Sequence, residues 1–358
     1  MSLAVTVLKN SAVLLLFLLF ISCGTKNKEY ANNVFPYSQF PQEKELKGEV
    51  IELDTALFRY PFRIRIEGDK AIVLDLHGSD YYGHLFQYPS FRYLSSFGRR
   101  GDSPLEMLSM ENFRLHNHTL WTLDANKSEL TRLDFSSSGD SLLREETVAL
   151  DEDILRPLDF AIYNDTTFVI PDYSGESRFL KVDCKGKLIE KIGTIPTTNK
   201  KALQEARPAL AQAWRSFLDY NSHNSVLATV TQLGEVVEIY NLKDSTHVIR
   251  VGEYDEPEFK VSDGYGIPTG IMGFSDVQVT DDAIYAVFHG TSFKDIARQS
   301  GRLSDGGKYI YVFSLKGEPL CKYVLDHYIY RIWVDEVTKT IMATDVNNDQ
   351  PILKFSFG

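Results

Sequence analysis

From Phe62 to its last residues the chain repeats one theme: a short apolar strand, a tight polar turn, a second strand often ending at Asp, a loop, then two more strands joined by a Gly or Pro turn. A period near 50 residues built from short strands constrains the fold more than any other feature. One small four-stranded sheet cannot bury its faces alone, so successive sheets must stack about an axis as propeller blades. The first unit reads Phe62 to Ile66, Ala71 to Leu74, Gly83 to Tyr88 and Phe91 to Phe97, with turns at Glu67-Gly68-Asp69 and Pro89-Ser90. Those turn residues supply the dihedrals a reversal needs.

Four further units follow. The second contains Asn112 to Leu115, Thr119 to Asp124, Glu129 to Phe135 and a turn over Ser136 to Asp140; the third contains Asp159 to Tyr163, Thr166 to Ile170, Arg178 to Val182 and Lys187 to Ile192. Phe217 to Tyr220, Ser225 to Thr229, Val236 to Tyr240 and Thr246 to Arg250 form the fourth, and Gly273 to Val279, Ala283 to Phe288, Lys308 to Phe313 and Pro319 to Leu325 the fifth. The last unit has only Ile329 to Val334, Thr340 to Thr344 and Ile352 to Phe357, one strand short. The run Gly48 to Asp54 alternates polar and apolar residues like a half-exposed strand. Paired beside Ile352 to Phe357, it completes the sixth blade and closes the ring. The expected fold is therefore all-β, a six-bladed β-propeller with four antiparallel strands per blade, spanning 48–358, its last blade closed by an N-terminal strand. Asn199 to Arg215, rich in Ala, Leu, Gln and Arg, reads as one or two short helices around Pro208. Gly252 to Met272 and His289 to Gly307 are the other long insertions.

The N-terminus carries an address. Lys9 is the only charge before an apolar stretch from Ser11 to Ile21, which ends in Phe20-Ile21-Ser22-Cys23. That stretch is too short for a membrane helix and reads as a signal peptide, 1–22. A small residue directly before a Cys is the arrangement at which a bacterial lipoprotein is lipidated, which makes Cys23 the acylated residue. Gly24 to Lys47 is polar, contains Pro36 and Pro41, and shows no period, so 23–47 is read as a flexible tether. The expected location is the bacterial outer membrane, held by lipid alone and facing either the periplasm or the cell surface. Cys184 and Cys321 lie in different units and are expected to be free.

A net charge of −11 opposes nucleic-acid binding, which rests on clustered Lys and Arg. No G-x-S-x-G, H-E-x-x-H, P-loop, C-x-x-C or dinucleotide fingerprint occurs. Propeller sites are assembled from distant blades, so missing motifs leave catalysis open. Loops after second strands and between blades share one face around the channel, and the candidates collect there. Asp75, Asp124, Asp172 and Asp345 each end a second strand; they read either as a ring of oxygen ligands suited to Ca²⁺ or as loop caps that accept backbone N–H bonds. His77 and His84 with Asp80 between them form a candidate metal set, against the alternative of a solvated loop. His116 and His118 belong to a hairpin turn on the opposite face. Arg99, Arg100, Arg156, Arg207 and Arg215, with Tyr81, Tyr82, Tyr173 and Tyr265, can line a cleft for an anionic or sugar-like ligand, or else pair with the chain's many acids.

The segment Phe97-Gly98-Arg99-Arg100-Gly101-Asp102-Ser103-Pro104-Leu105-Glu106 resembles the FG-x-x-G-x-GP-x-E connection between blades of TolB-like six-bladed β-propeller lipoproteins of Bacteroidetes and of NHL-type propellers, with Ser103 where the pattern has glycine. The resemblance implies an envelope-anchored binding or interaction module and carries over no catalytic residue. Two functions are held: a non-catalytic module for an envelope protein, peptide or glycan, working as a monomer without cofactor, or a hydrolase or lyase in which two or more of Asp75, His77, Asp124, Asp172, His289 and Asp345 converge.

Overall fold

The computed structural model describes residues 32–53, 58–299 and 304–358; the stretch read as a signal peptide, 1–22, and Cys23 lie outside these residues. An N-terminal arm contributes three short strands, β1 (Val34–Pro36), β2 (Glu43–Leu46) and β3 (Glu49–Ile51). Blade 1 follows as β4 (Pro61–Glu67), β5 (Lys70–Asp75), β6 (Tyr81–Gln87) and β7 (Arg92–Arg99), and blade 2 as β8 (Met110–His116), β9 (Thr119–Asp124), β10 (Glu129–Phe135) and β11 (Leu142–Ala149). Blade 3 contains β12 (Ala161–Asn164), β13 (Thr167–Pro171), β14 (Phe179–Asp183) and β15 (Leu188–Ile192). Helices α1 (Lys200–Glu205) and α2 (Arg207–Ala213) lead to blade 4: β16 (Ser216–Asn221), β17 (Val226–Thr231), β18 (Val236–Asn241) and β19 (Thr246–Val251). After a hairpin of β20 (Phe259–Ser262) and β21 (Tyr265–Pro268), blade 5 comprises β22 (Phe274–Val279), β23 (Ala283–Phe288), β24 (Gly307–Ser314) and β25 (Pro319–Ile329), with α3 (Phe293–Gln299) between β23 and β24. Blade 6 has β26 (Arg331–Asp335), β27 (Thr340–Thr344) and β28 (Ile352–Ser356).

The first strands β4, β8, β12, β16, β22 and β26 touch one another in turn around the axis. Each sheet is covered on both faces, so β17, β23 and β27 are buried along their whole length and read as continuous apolar or small runs. Apolar clusters fill the interfaces: Leu123 and Leu130 against Phe160 and Ile170 between blades 2 and 3, and Val287 and Ile310 against Ile332 and Phe355 between blades 5 and 6.

Strand β3 pairs antiparallel with β28, Val50 opposite Leu353, and supplies the fourth strand of blade 6 as the alternating pattern predicts. The tether reading of 23–47 needs correction. β1 adds parallel to β19 (Val34 opposite Ile249) and β2 adds parallel to β25 (Glu43 opposite Lys322), which makes blades 4 and 5 five-stranded. The arm thus covers three consecutive outer edges before the first blade begins, and edge strands left bare invite pairing with other chains. Of the uncovered outer strands β7, β11 and β15, β11 carries Arg144, Glu145 and Glu146 and β15 carries Glu190 and Lys191, charges that resist such pairing. Cys184 and Cys321 are free thiols. Among the described residues no helix is long and apolar enough to cross a membrane.

Candidate functional site

The loops that follow second strands and join blades share a face with the starts of the first strands. The four recurring aspartates sit there, and each spends its carboxylate on donors of its own loop or of the connection that enters its blade. Asp75 accepts the backbone N–H groups of Arg59 (2.8 Å), Tyr60 (2.7 Å) and His77 (3.2 Å). Asp124 accepts those of Leu108 (2.7 Å), Ser109 (3.2 Å), Asn126 (3.1 Å) and Lys127 (3.0 Å). Asp172 takes the backbone and hydroxyl donors of Ser174 and Ser177 at 2.7–2.9 Å, and Asp345 takes Asn347 N (2.9 Å) and Nδ2 (2.8 Å). The ligand-ring reading is corrected to caps: a loop leaving a buried strand exposes several N–H groups at once, and one buried carboxylate satisfies them. Among the described residues no three His, Cys, Asp or Glu side chains gather as a metal set.

The caps have a consequence for the channel mouth. Asp75 fixes the backbones of Tyr60 and His77, and Asp345 holds Asn347, whose amide bonds both backbone groups of Asp305 (2.7 and 2.8 Å). Asp305 in turn accepts the Tyr60 hydroxyl at 2.6 Å. Tyr60 lies between His77 (ring centroids 4.8 Å) and Tyr330 (5.8 Å), and His289 stands edge-on to Tyr330 at 6.5 Å. The two histidines thus bracket a tyrosine pair rather than joining carboxylates. Burial raises the pKa of Tyr60, reinforced by Tyr330 and by the bond to Asp305, and burial lowers that of His289 to about 4 against a small opposing pull from Asp305. At neutral pH Tyr60, Tyr330 and His289 are uncharged.

A cleft opens beside blades 3 and 4. Arg156, Tyr173, Arg215 and Tyr265 line it with Pro208 and Gln212, around a volume of about 250 Å³. Four segments converge here because α2 is pinned down by buried Ala209, Leu210, Ala211 and Ala213. The β20–β21 hairpin then docks on α2: Gly266 N donates to Gln212 Oε1 at 3.0 Å, and a Cβ at Gly266 would stand 2.4 Å from the Ala209 carbonyl oxygen. Only glycine allows that approach. Burial pushes the Tyr173 hydroxyl up to about 12, partly offset by neighbouring Arg215. Burial raises the pKa of Tyr330, opposed first by Arg331 and least by Arg215.

Other candidates are dispersed. Arg99 is exposed and faces Glu106 at 3.5 Å, Arg207 bonds the Leu203 carbonyl of α1 (3.1 Å), and Tyr81 pairs with Arg99 in the β6–β7 ladder. Arg100 lies flat on Tyr82, 3.7 Å from its centroid, and donates to Leu76 O. The segment around it is architectural: Gly101 has φ +152° and a Cβ there would meet Glu106 Oε2 at 1.9 Å. The His77–Asp80–His84 metal set is not formed, since His84 turns into blade 1, its Nδ1 2.8 Å from Ser96 Oγ and its ring against Phe58. On the opposite face His116 contacts Asp165 and His118 contacts Glu67, both at 3.0 Å, linking the turns of neighbouring blades.

Sequence reasoning missed Tyr60, Tyr330, Asp305 and the polar centre of the ring. Along the channel the first strands carry Arg63 and Arg65, Arg114, Asp219, Asp276 and Arg331, and Asp159 precedes β12. Arg114 donates to Asp159 (2.8 Å), Phe160 O (2.6 Å) and Leu218 O (2.6 Å), Arg65 to Ile332 O (2.6 Å), and Arg331 to Asp276 (2.9 Å). The available signal was a charged residue inside an otherwise apolar strand, as in Phe62-Arg63-Ile64-Arg65-Ile66.

Fold and site together define a six-bladed propeller with a loop-built cleft beside its channel mouth. The chain belongs to the family described as TolB-like 6-blade propeller-like, whose model matches residues 39–337. Among solved structures it is similar to an exported protein of Bacteroides fragilis (11% identity, 90% of this chain and 98% of that one, TM-score 0.53). It is also similar to a member of the DUF4221 family from Bacteroides vulgatus (10%, 88% and 96%, TM-score 0.54). An auxiliary nutrient binding protein from Bacteroides ovatus matches at 10% identity over 84% of this chain and 70% of that one, TM-score 0.52. No curated protein matches.

Proposed function

We propose that this protein is an envelope binding module, anchored to the outer membrane through acylated Cys23, that holds an acidic glycan in the Arg156–Tyr173–Arg215–Tyr265 cleft without turning it over. The observation that carries the reading is the convergence of two guanidinium groups and two tyrosine rings, from four separate segments, on one cavity of about 250 Å³ in a chain of net charge −11. Guanidinium forks match carboxylate or sulfate oxygens, and tyrosine faces suit the C–H faces of sugar rings. The exposed Tyr265 extends the platform outward. Commitment of Asp75, Asp124, Asp172 and Asp345 to backbone caps favours binding over the hydrolase or lyase alternative, which required those carboxylates to meet. The nutrient-binding neighbour agrees with this direction while sharing only the fold. From residue 33 the chain runs along the outer edges of blades 4, 5 and 6, which leaves 24–32 as the span to the lipid. Calorimetric titration with uronic-acid oligosaccharides, neutral oligosaccharides and acidic peptides tests the reading. Acidic oligosaccharides should bind, with affinity falling about 10- to 100-fold in Arg215→Ala, the loss of one charge-assisted contact. Absence of binding, equal binding of the neutral sugars, or preference for the peptides would overturn it.

A further inference from the structure

The other mouth of the channel, on the face of the first hairpin turns, holds a second cavity of about 240 Å³ to which all six blades contribute. Its polar lining is unlike that of the cleft. Arg65 and Arg114 project from the inner strands, each more than nine-tenths buried, and Arg65 Nη2 and Arg114 Nη1 have no hydrogen-bond partner among the described residues. Behind them Arg63 Nε and Nη1 and Arg331 Nε are likewise without partners. Buried guanidinium donors left unpaired are costly, and native interiors rarely keep them unused.

One oxygen of each nearby side-chain acceptor is already engaged. Asp219 Oδ2 takes Val279 N at 2.9 Å, Gln278 exchanges bonds with both backbone groups of Val334 (2.9 and 3.2 Å), and Glu67 takes His118 N at 3.1 Å. Along the channel the four guanidinium groups of Arg63, Arg65, Arg114 and Arg331 face the three carboxylates of Asp159, Asp219 and Asp276, and the Glu67 carboxylate stands at the mouth itself. We propose that this mouth is an oxyanion site, in which Arg65 Nη2 and Arg114 Nη1 together hold one carboxylate or phosphate group. A single monoanion there supplies the missing acceptors. Burial, then Arg114 and Arg331, lower the pKa of Arg63, and Asp276 opposes them.

Asp219 provides a discriminating test because burial raises its pKa while Arg114 and Arg65 draw it down, so it competes with any incoming anion for the same two arginines. Binding to the mature protein is measured by calorimetry and thermal unfolding with sodium phosphate, sodium acetate and glycerol phosphate, against sodium chloride at equal ionic strength. The wild type should show saturable binding of at least one oxyanion. Asp219→Asn, which keeps an acceptor for Val279 N, should bind about tenfold more tightly, and Arg65→Gln should lose binding. Glycerol phosphate binding as well as phosphate assigns the site to the anionic end of a larger molecule; binding of the small ions alone assigns it to a free ion. Arg215→Ala should leave all of these unchanged, which separates this site from the glycan cleft. No saturable binding in either the wild type or Asp219→Asn, or weaker binding in Asp219→Asn, would overturn the proposal, whatever the folding of Arg65→Gln.

Discussion

Replacing Asp276 by Ala is the sharpest probe of how the ring is held at its centre. Its fully buried carboxylate sits on β22 of blade 5 and accepts Arg331 Nη1 (2.9 Å) and Ile332 N (3.0 Å) from blade 6 and Arg63 Nη2 (3.4 Å) from blade 1. Burial alone would raise its pKa, yet Arg63, Arg331 and Arg65 hold it below the ordinary carboxylate value. Removing the charged partner of a buried ion pair costs about 3–5 kcal/mol, and orphaning the Ile332 amide adds about 1 kcal/mol. An unfolding entropy of about 2 cal/mol/K per residue over a unit of this length makes each kcal/mol worth roughly 1.5 °C, so Tm should fall by roughly 6–9 °C. Asp276→Asn, which still accepts from Ile332, should fall less. Because the folded pKa is depressed, the contribution is complete above the unfolded carboxylate pKa and disappears as pH drops through the lower folded value. The gap between wild type and Asp276→Ala should therefore persist at neutral pH and narrow only below about pH 4. Differential scanning calorimetry between pH 3 and 7 measures both. A Tm within 1–2 °C of wild type at pH 7, on the order of ordinary surface substitutions, would refute the argument that this network ties three blades together.

Two further outcomes are expected. His289, with its pKa lowered to about 4, resists protonation in the folded state, so stability should decline as pH falls from about 6.5 toward 4; the loss by pH 5 is about 2 kcal/mol in urea unfolding, and His289→Gln should flatten the slope. Cys23→Ser should abolish incorporation of labelled palmitate and release the protein from the membrane fraction; a variant that stays membrane-bound contradicts the anchor.

The fold was legible where side-chain pattern carries it. Each blade's strands declare themselves as apolar runs between turn residues, and β3 was found because Glu49-Val50-Ile51 continues an alternating period. β1 and β2 were hidden: Val34–Pro36 and Glu43–Leu46 attach by parallel backbone pairing at outer edges while most of their side chains stay in solvent, so no hydrophobic period marks them. The β20–β21 hairpin escaped for the same reason, being largely exposed. In the candidate site the recurring aspartates were visible but their role was ambiguous, because a cap and a ligand demand the same residue at the same place. Arg156, Tyr173, Arg215 and Tyr265 were recognisable by type, but their meeting depends on α2 and the hairpin docking together. The channel arginines were overlooked because a charge in an apolar strand reads as an outward residue, whereas the innermost strands of a ring turn such residues toward its axis.

Every face assignment rests on closure of the ring by the N-terminal arm, and a cross-link reads that closure directly. Glu49 and Lys354 face each other across the β3–β28 ladder, and opposed residues in antiparallel strands have Cα separations of about 4.5–5.5 Å, within disulfide reach. Glu49→Cys with Lys354→Cys, in a background where Cys184 and Cys321 are Ser, should form an intramolecular disulfide on mild oxidation, seen as a linked peptide by mass spectrometry. Two free, fully alkylatable thiols in the folded monomer would contradict the closed ring.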